Sequence, residues 1–351
     1  MEKVIKQTVG IDVAKEELVV CLGYMFEDLR PDLRAYSTFE NTKKGFRLQL
    51  QWVKKIADKN APLFYVMEAT GVYHESLAYF LKDQEQTVCI VLPNKINNYA
   101  KSLSVKTVTD KTACEAITKF GLSHYLEGWE KPSSILKRIK QLTRERDQII
   151  KERTRLKNQL HAEKSEAEPN KSTISRINKR ITLLTKQAEE IVEEVTQLVN
   201  KDQKASQTVQ ILDSIPGIGI LTAATIIAET NCFDLIRSKR QLTSYAGLDV
   251  QEKTSGTSVK GKPRISKKGN KYLRKVMNMS ALTAVRIDGE FKSIYTRIHK
   301  RHGIKMKAMV AIQRKLLEMT YTLYKNQQPY DKEHFKNSHM ITEVEPQALE
   351  N

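Results

Sequence analysis

Residues 177–198 carry an apolar side chain at alternating steps of four and three: Ile177, Ile181, Leu184, Ala188, Ile191, Val195 and Leu198. That spacing holds a narrow apolar stripe on one side of an α-helix, and such a stripe needs a partner of the same kind. One stands just upstream. Ile135, Ile139, Leu142, Ile149, Leu156 and Leu160 follow the same spacing, with Arg146 and Arg153 at two seam positions. EAEPNKS separates the two runs, and residues 129–204 contain no glycine. Three arrangements fit: an antiparallel helical hairpin, two arms of an intermolecular coiled coil, or part of a bundle within one subunit. The seam arginines predict a first helix that is partly solvated or that faces phosphate.

This stretch divides the chain into four expected parts. Residues 1–128 form an α/β domain, 129–204 a helical coiled-coil insertion, 205–326 a basic, mainly helical domain, and 327–351 a polar tail of disordered composition. In the first part, Val4–Ile11 and Leu18–Leu22 are β-prone runs on either side of a polar turn, and Ala35–Phe39 is a third. A helix with Phe46, Leu48, Leu50, Val53 and Ile56 follows, then strand Leu63–Met67, helix Val72–Leu81, strand Thr87–Leu92 and a helix from Thr109 to Phe120. Strands in hairpins, then alternating with helices, predict an RNase H-like (RuvC-like) mixed sheet. A Rossmann fold is the rival, but no GxGxxG follows the first strand.

The formal net charge is +18, and residues 252–316 hold 18 Lys and Arg against 3 Asp and Glu, a net of +15. Charge concentrated in this way predicts a polyanionic partner, and nucleic acid is the usual one. The four cysteines, Cys21, Cys89, Cys114 and Cys232, form no CxxC pair, which fits a reducing cytoplasm. MEKVIKQTVG has no apolar signal core and no run approaches bilayer length, so a soluble, cytoplasmic, nucleoid-associated protein with no membrane partner is expected.

Three carboxylates stand where phosphodiester chemistry needs them. Asp12 ends the first strand (GIDVAK), Glu68 closes a later one (MEATG), and Asp110 begins a helix (TVTDKTACEAI). Acids at strand ends can converge on the carboxyl edge of a sheet, where Mg²⁺ held by hard oxygen ligands stabilises charge on the reacting oxygens. Singly, each could merely cap a turn.

GIDVAK, EATGVY, TDK, IPGIG, YAGL, SG and ISKKGN, in this order over residues 8–325, resemble the DEDD transposases of bacterial insertion sequences, recombinases described as guided by a bridge RNA. The resemblance implies a RuvC-like domain with Asp12, Glu68 and Asp110 as catalytic Mg²⁺ ligands, and a C-terminal domain whose SG step places the nucleophile at Ser255. It also implies a structured guide RNA, donor and target DNA, and a homo-oligomer, dimer or tetramer. One departure stands out. The family's D-x-x-D would put a fourth acid at position 113, and this chain has Ala113. Glu115 is turned roughly 140° from that face. Cys114 shares the face, but thiolate is a soft ligand ill suited to Mg²⁺.

The basic domain supplies expected nucleic-acid contacts. LDSIPGIGILTAATIIAE has the form of a helix-hairpin-helix, in which Gly217 and Gly219 permit close approach and the next helix offers free N–H groups to phosphate. An ordinary helix–helix turn would look the same. Around Ser255, Lys253, Gly256, Lys260, Lys262 and Arg264 form a glycine-bracketed cationic loop, and Lys267, Lys268, Lys271, Arg274 and Lys275 follow at a helix start. From chemistry alone, Ser258 and Ser266 are nucleophile candidates as good as Ser255. His299 and His302 sit in a Lys/Arg run and read as phosphate or solvent contacts. Two rivals remain: a RuvC-like metal-dependent nuclease or junction resolvase in which Ser255 is a bystander, and a non-catalytic nucleic-acid-binding protein.

Overall fold

The computed structural model describes residues 3–69, 71–103, 109–234, 236–251, 254–255, 259–261, 263–287 and 289–331, with the backbone alone at 94, 254, 255, 259 and 260. The expected disordered tail therefore lies outside the described residues from 332 onward. The chain divides into two compact units, Met1–Lys131 and Pro132–Asn351.

In the first unit, β1 (Val4–Val13), β2 (Glu17–Phe26) and β3 (Pro31–Glu40) run as consecutive hairpins. After α1 (Lys43–Ile56) come β4 (Leu63–Glu68), α2 (Glu75–Asp83), β5 (Val88–Val91), α3 (Pro93–Ser102) and α4 (Asp110–Ser123). The five strands make one mixed sheet in the order β3-β2-β1-β4-β5, with β4 and β5 parallel to β1. The expected strand-then-helix order is present, in the arrangement an RNase H-like sheet needs. Boundaries differ locally. The helix expected from Val72 begins at Glu75, because Val72 and Tyr73 sit in an exposed turn, and α3 is an element the sequence reading lacked.

Strand alternation sorts the side chains onto two covered faces. Val9, Ile11, Val13, Leu18, Val20, Leu22, Tyr65 and Met67 pack with Phe46, Leu50 and Val53 of α1 and Leu77, Ala78 and Leu81 of α2. On the other face, Val66, Cys89 and Val91 meet Ile117 and Phe120 of α4, while Val19 and Cys21 meet Cys114. Burial on both faces explains why β2 reads as a nearly continuous apolar run.

Small residues bring α4 close to the sheet. A Cβ on Gly10 would lie 2.3 Å from Thr118 Oγ1 and 2.5 Å from its amide nitrogen, and one on Gly121 would lie 2.4 Å from Thr8 Cγ2. Thr118 Oγ1 also donates to the Cys21 carbonyl at 3.1 Å. Cys114 thus sits over Gly10 and Gly121 over Thr8, so α4 runs opposite to β1 and its N-terminus lies at the carboxyl edge of the sheet.

The second unit begins with two helices of equal length, α5 (Ser134–Lys164) and α6 (Lys171–Lys201), the latter capped by Asn170. They pair antiparallel within the chain. Arg138 bridges Glu194 at 2.8 Å and Arg180 bridges Glu152 at 3.3 Å, while Leu156, Ile177 and Leu184 cluster near the turn. At the other end, Leu136, Ile139, Leu142, Ile191, Val195 and Val199 join one core with the helices that follow. Each such buried aliphatic side chain stabilises the fold by about 1.5–3 kcal/mol. The pair is a hairpin whose base is built into a bundle. Of its seam arginines, Arg153 donates to Thr185 Oγ1 at 3.3 Å, and Arg146 is half-buried with no hydrogen-bond partner at Nε.

The remaining helices are α7 (Gln203–Asp213), α8 (Ile220–Thr230), α9 (Lys239–Tyr245), α10 (Lys271–Ala284), α11 (Glu290–His302) and α12 (Lys305–Asn326). Between α9 and α10 the chain forms four two-residue strands: β6 (Val250–Gln251), β7 (Thr254–Ser255), β8 (Val259–Lys260) and β9 (Arg264–Ile265). Among the described residues, no helix is long and apolar enough to cross a membrane.

Candidate active site

The parallel register of β1 and β4 pairs Gln7 with Leu63 and runs to Ile11 opposite Met67. One step further, Asp12 and Glu68 stand side by side at the carboxyl edge. Both have the parity of Gly10 and Val66, so both belong to the face that α4 covers. Asp110 is the first residue of α4, which Thr109 caps through a reciprocal capping box with Thr112. The capped start fixes Asp110 at the edge where β1 and β4 end.

The charges respond to one another. Burial is the largest influence raising the Asp12 carboxyl above the ordinary carboxylate range, and the negative charges of Asp110 and then Glu68 push the same way. Hydrogen bonding from the Val13 amide opposes them. Three acids whose repulsion is felt at one carboxyl form a donor set that a hard cation would relieve, so their chemistry fits Mg²⁺. Among the described residues, no three His, Cys, Asp or Glu side chains are already drawn together at metal-ligand spacing.

Neighbouring positions on α4 resolve differently. Cys114 is fully buried, and its sulfur donates to the carbonyls of Gly10 at 3.2 Å and Val19 at 3.1 Å. It is engaged with the sheet backbone and unavailable as a ligand. Ala113 is half-buried and lies one turn before Ile117, on the row of α4 that meets β4 and β5. All four cysteines are free and buried.

In the second unit, the two glycines of IPGIG separate. Gly217 has φ +88°, and a Cβ there would lie 2.5 Å from the Ser280 carbonyl, so this turn is pressed onto α10 and not held open. Gly219 is exposed, with nothing within 4 Å of its would-be Cβ, and precedes the free amides at the start of α8.

YAGL and ISKKGN form one interlocked structure. Asn270 N donates to the Tyr245 carbonyl at 2.7 Å, Lys267 N to Gly247 O at 3.1 Å, and Ser266 N to Asp249 O at 2.8 Å. Gly247 has φ +68°, and a side chain there would strike Arg274 Nη1 at 2.7 Å. That Nη1 donates to the Ala246 carbonyl at 2.7 Å, so Arg274 ties the motif together. Lys275 pairs with Asp147 of α5. Lys267, Lys268 and Lys271 are exposed.

From this root, β6 pairs antiparallel with β9 (Val250 with Ile265, Gln251 with Arg264), and β7 with β8 (Thr254 with Lys260, Ser255 with Val259). Ser255 is thus on the outgoing limb of a hairpin. Arg264 is exposed on the returning limb. Lys253, Gly256 and Lys262 lie outside the described residues, as do the side chains of Ser255 and Lys260.

Two features escaped sequence reasoning. Glu229, near the end of α8, is fully buried, and Arg144 of α5 grips it with Nε–Oε1 and Nη2–Oε2 contacts of 2.7 and 2.8 Å. In the sequence it looks like an ordinary helix-end acid. On α11, Lys292, Ser293, Thr296, Arg297, Lys300 and Arg301 line an open groove, and spacing of four along a helix was the available signal. His299 faces the Tyr295 ring, 6.0 Å between centroids.

An RNase H-like sheet with acids at its carboxyl edge, in a chain with a basic helical second unit, is the layout of an enzyme that acts on nucleic-acid phosphodiesters. A profile of the DEDD IS110 type described as "Transposase" matches residues 9–163, and one described as "Transposase IS116/IS110/IS902 family" matches residues 209–296. The chain belongs to this family of transposases, which are DNA recombinases. It is 29% identical to a pilin gene-inverting protein of Moraxella bovis, over 93% of this chain and 98% of that one. Over 36% of this chain and 35% of the other, it is 31% identical to the transposase for insertion sequence element IS1111A of Coxiella burnetii. Among solved structures, RuvC of Thermus thermophilus in complex with a Holliday junction substrate aligns at 8% identity and a TM-score of 0.27, covering 35% of this chain and 99% of that one.

Proposed function

We propose that this chain cuts and rejoins DNA at an insertion sequence through a phosphoserine link made by Ser255, with Mg²⁺ held by Asp12, Glu68 and Asp110. The observation that carries the metal reading is geometric: Asp12 and Glu68 end neighbouring parallel strands and Asp110 begins α4 at the same edge, so burial and both neighbouring acids raise the Asp12 carboxyl. Mg²⁺, when bound, neutralises charge that develops on the reacting phosphate. Ser255 Oγ forms a bond to phosphorus while the bond from phosphorus to one strand oxygen breaks. That oxygen leaves as a hydroxyl, taking up the proton that the serine gives away. The hydroxyl of the new strand then attacks the link and returns a proton to the serine, so the strands rejoin without ATP.

DNA is the substrate of this reading, and the name of the Moraxella relative, a pilin gene-inverting protein, agrees with site-directed rearrangement. The exposed Lys267, Lys268 and Lys271, the open amides after Gly219 and the α11 groove supply cations and donors for phosphate. A structured guide RNA, assembly as a dimer or tetramer, and residence with the nucleoid complete the proposal; they rest on the family resemblance.

The test is Ser255→Ala against Ser258→Ala, three positions apart in the sequence. Wild type and Ser258→Ala, trapped on a nicked substrate, should yield a covalent protein–DNA adduct mapping by mass spectrometry to the Ser255 peptide. Ser255→Ala should yield none and cut nothing. If Ser255→Ala still cuts in Mg²⁺ and leaves free ends, the chain is a hydrolytic nuclease. If the wild type neither cuts nor forms an adduct, it is a binding protein only.

A further inference from the structure

We infer that Glu229 is a positioning residue for the Ser255 hairpin, acting through Asn270 and anchored by Arg144; this rests on the reading of Ser255 as nucleophile. The Glu229 side chain has no exposed surface, yet it is fully engaged. Arg144 binds both oxygens, Lys140 Nζ lies 3.7 Å from Oε2, and Asn270 Nδ2 donates to Oε2 at 2.7 Å. The backbone carbonyl of Glu229 accepts from the Tyr245 hydroxyl at 2.9 Å. One residue therefore holds Tyr245 and Asn270, the two residues from which the limbs of the hairpin depart.

From Asn270 the hydrogen bonds lead outward to β6 and β9. Asn270 caps α10 by accepting from the amides of Tyr272 and Leu273, and its own amide donates to Tyr245 O. Beyond it come the Lys267–Gly247 and Ser266–Asp249 amide bonds, with Ser266 Oγ donating to Asp249 Oδ1 at 2.5 Å. The β6–β9 pair follows, then the β7–β8 pair that contains Ser255. A rotation at Asn270 would be passed to β6 and β9. Apolar side chains commonly replace a buried ion pair with little loss of stability. What Glu229 contributes here is direction, because a bidentate guanidinium–carboxylate pair fixes orientation as well as distance.

Two variants test this in the full-length protein. Glu229→Gln keeps the shape but breaks the charged fork, and Asn270→Ser keeps a capping oxygen while deleting the arm that reaches Glu229. Three quantities are read: the single-turnover rate of the Ser255–DNA adduct, the Kd for the same DNA, and amide hydrogen exchange. Both variants should slow adduct formation tenfold or more with Kd unchanged within twofold. Exchange should quicken at residues 250–251 and 264–265 and stay unchanged in α8. Wild-type adduct rates in both variants would overturn the inference. So would a uniform rise in exchange through α8 with parallel loss of DNA binding, which marks a merely structural residue. If Glu229→Gln does not fold, Asn270→Ser decides by the same readouts. If the wild type cuts DNA without an adduct, the nucleophile reading has failed instead, and the exchange pattern judges the clamp by itself.

Discussion

Cys114 Sγ donates to the carbonyl of Gly10 at 3.2 Å, and this contact fixes which side of α4 faces the sheet. With Cys114 over β1 and Ile117 over β4 and β5, Ala113 falls on the β4 side, one turn from Asp110 and near the edge where Glu68 ends its strand. Ala113→Asp should therefore add an oxygen ligand and lower the Mg²⁺ concentration for half-maximal strand exchange, by about tenfold if one carboxylate contributes about 1.4 kcal/mol. A metal titration checks this. An unchanged midpoint would show that position 113 does not reach the ion.

The raised Asp12 carboxyl predicts a pH-dependent effect with a definite sign. A carboxyl whose folded value lies above its unfolded value contributes stability at low pH and loses it as pH rises through the folded value. In EDTA, Asp12→Asn should raise Tm relative to wild type at neutral pH, with the difference shrinking toward acid. The same variant should lose strand exchange by roughly a thousandfold, about 4 kcal/mol of transition-state stabilisation, while nucleic-acid binding persists. Calorimetry across pH and a single-turnover assay measure the two effects. A variant that recombines at the wild-type rate would make the carboxylates structural.

Gly10 gives a packing test of the same site. A methyl there meets the Thr118 amide nitrogen at 2.5 Å and the Cys114 carbonyl at 2.9 Å, neither of which is the end of a flexible side chain. Gly10→Ala should cost about 1–3 kcal/mol and lower Tm by several degrees. Because α4 must move outward and takes Asp110 with it, Mg²⁺ dependence should weaken as well. Gly128→Ala, with nothing within 4 Å of its new Cβ, should change neither.

Lys267 and Lys268 are exposed at the turn before α10, and Lys267 already has φ +55°. Replacing both with Ala removes two charges at the same backbone cost, since alanine is no worse than lysine in that conformation. The slope of log affinity for DNA against log salt should flatten by roughly one to two units. A slope that does not move would place the phosphates on another surface, with the α11 groove the next to test.

What the sequence determined by itself is what local periodicity controls. Short β-prone apolar runs became β1, β2 and β4, and the 4-3 stripes became α5 and α6, because which residues share a face depends only on spacing along one element. Carboxylates at strand ends were legible for the same reason. The tertiary structure decided everything that depends on pairing between distant segments. It placed β1 between β2 and β4, which sets Asp12 beside Glu68. It turned Cys114 into the sheet, pressed Gly217 onto α10 while leaving Gly219 open, and folded α5 against α6 within one chain. Above all it joined Arg144 to Glu229, 85 positions apart. A buried charge can be recognised only once its counter-charge has a place in space, and no spacing along the chain carries that information.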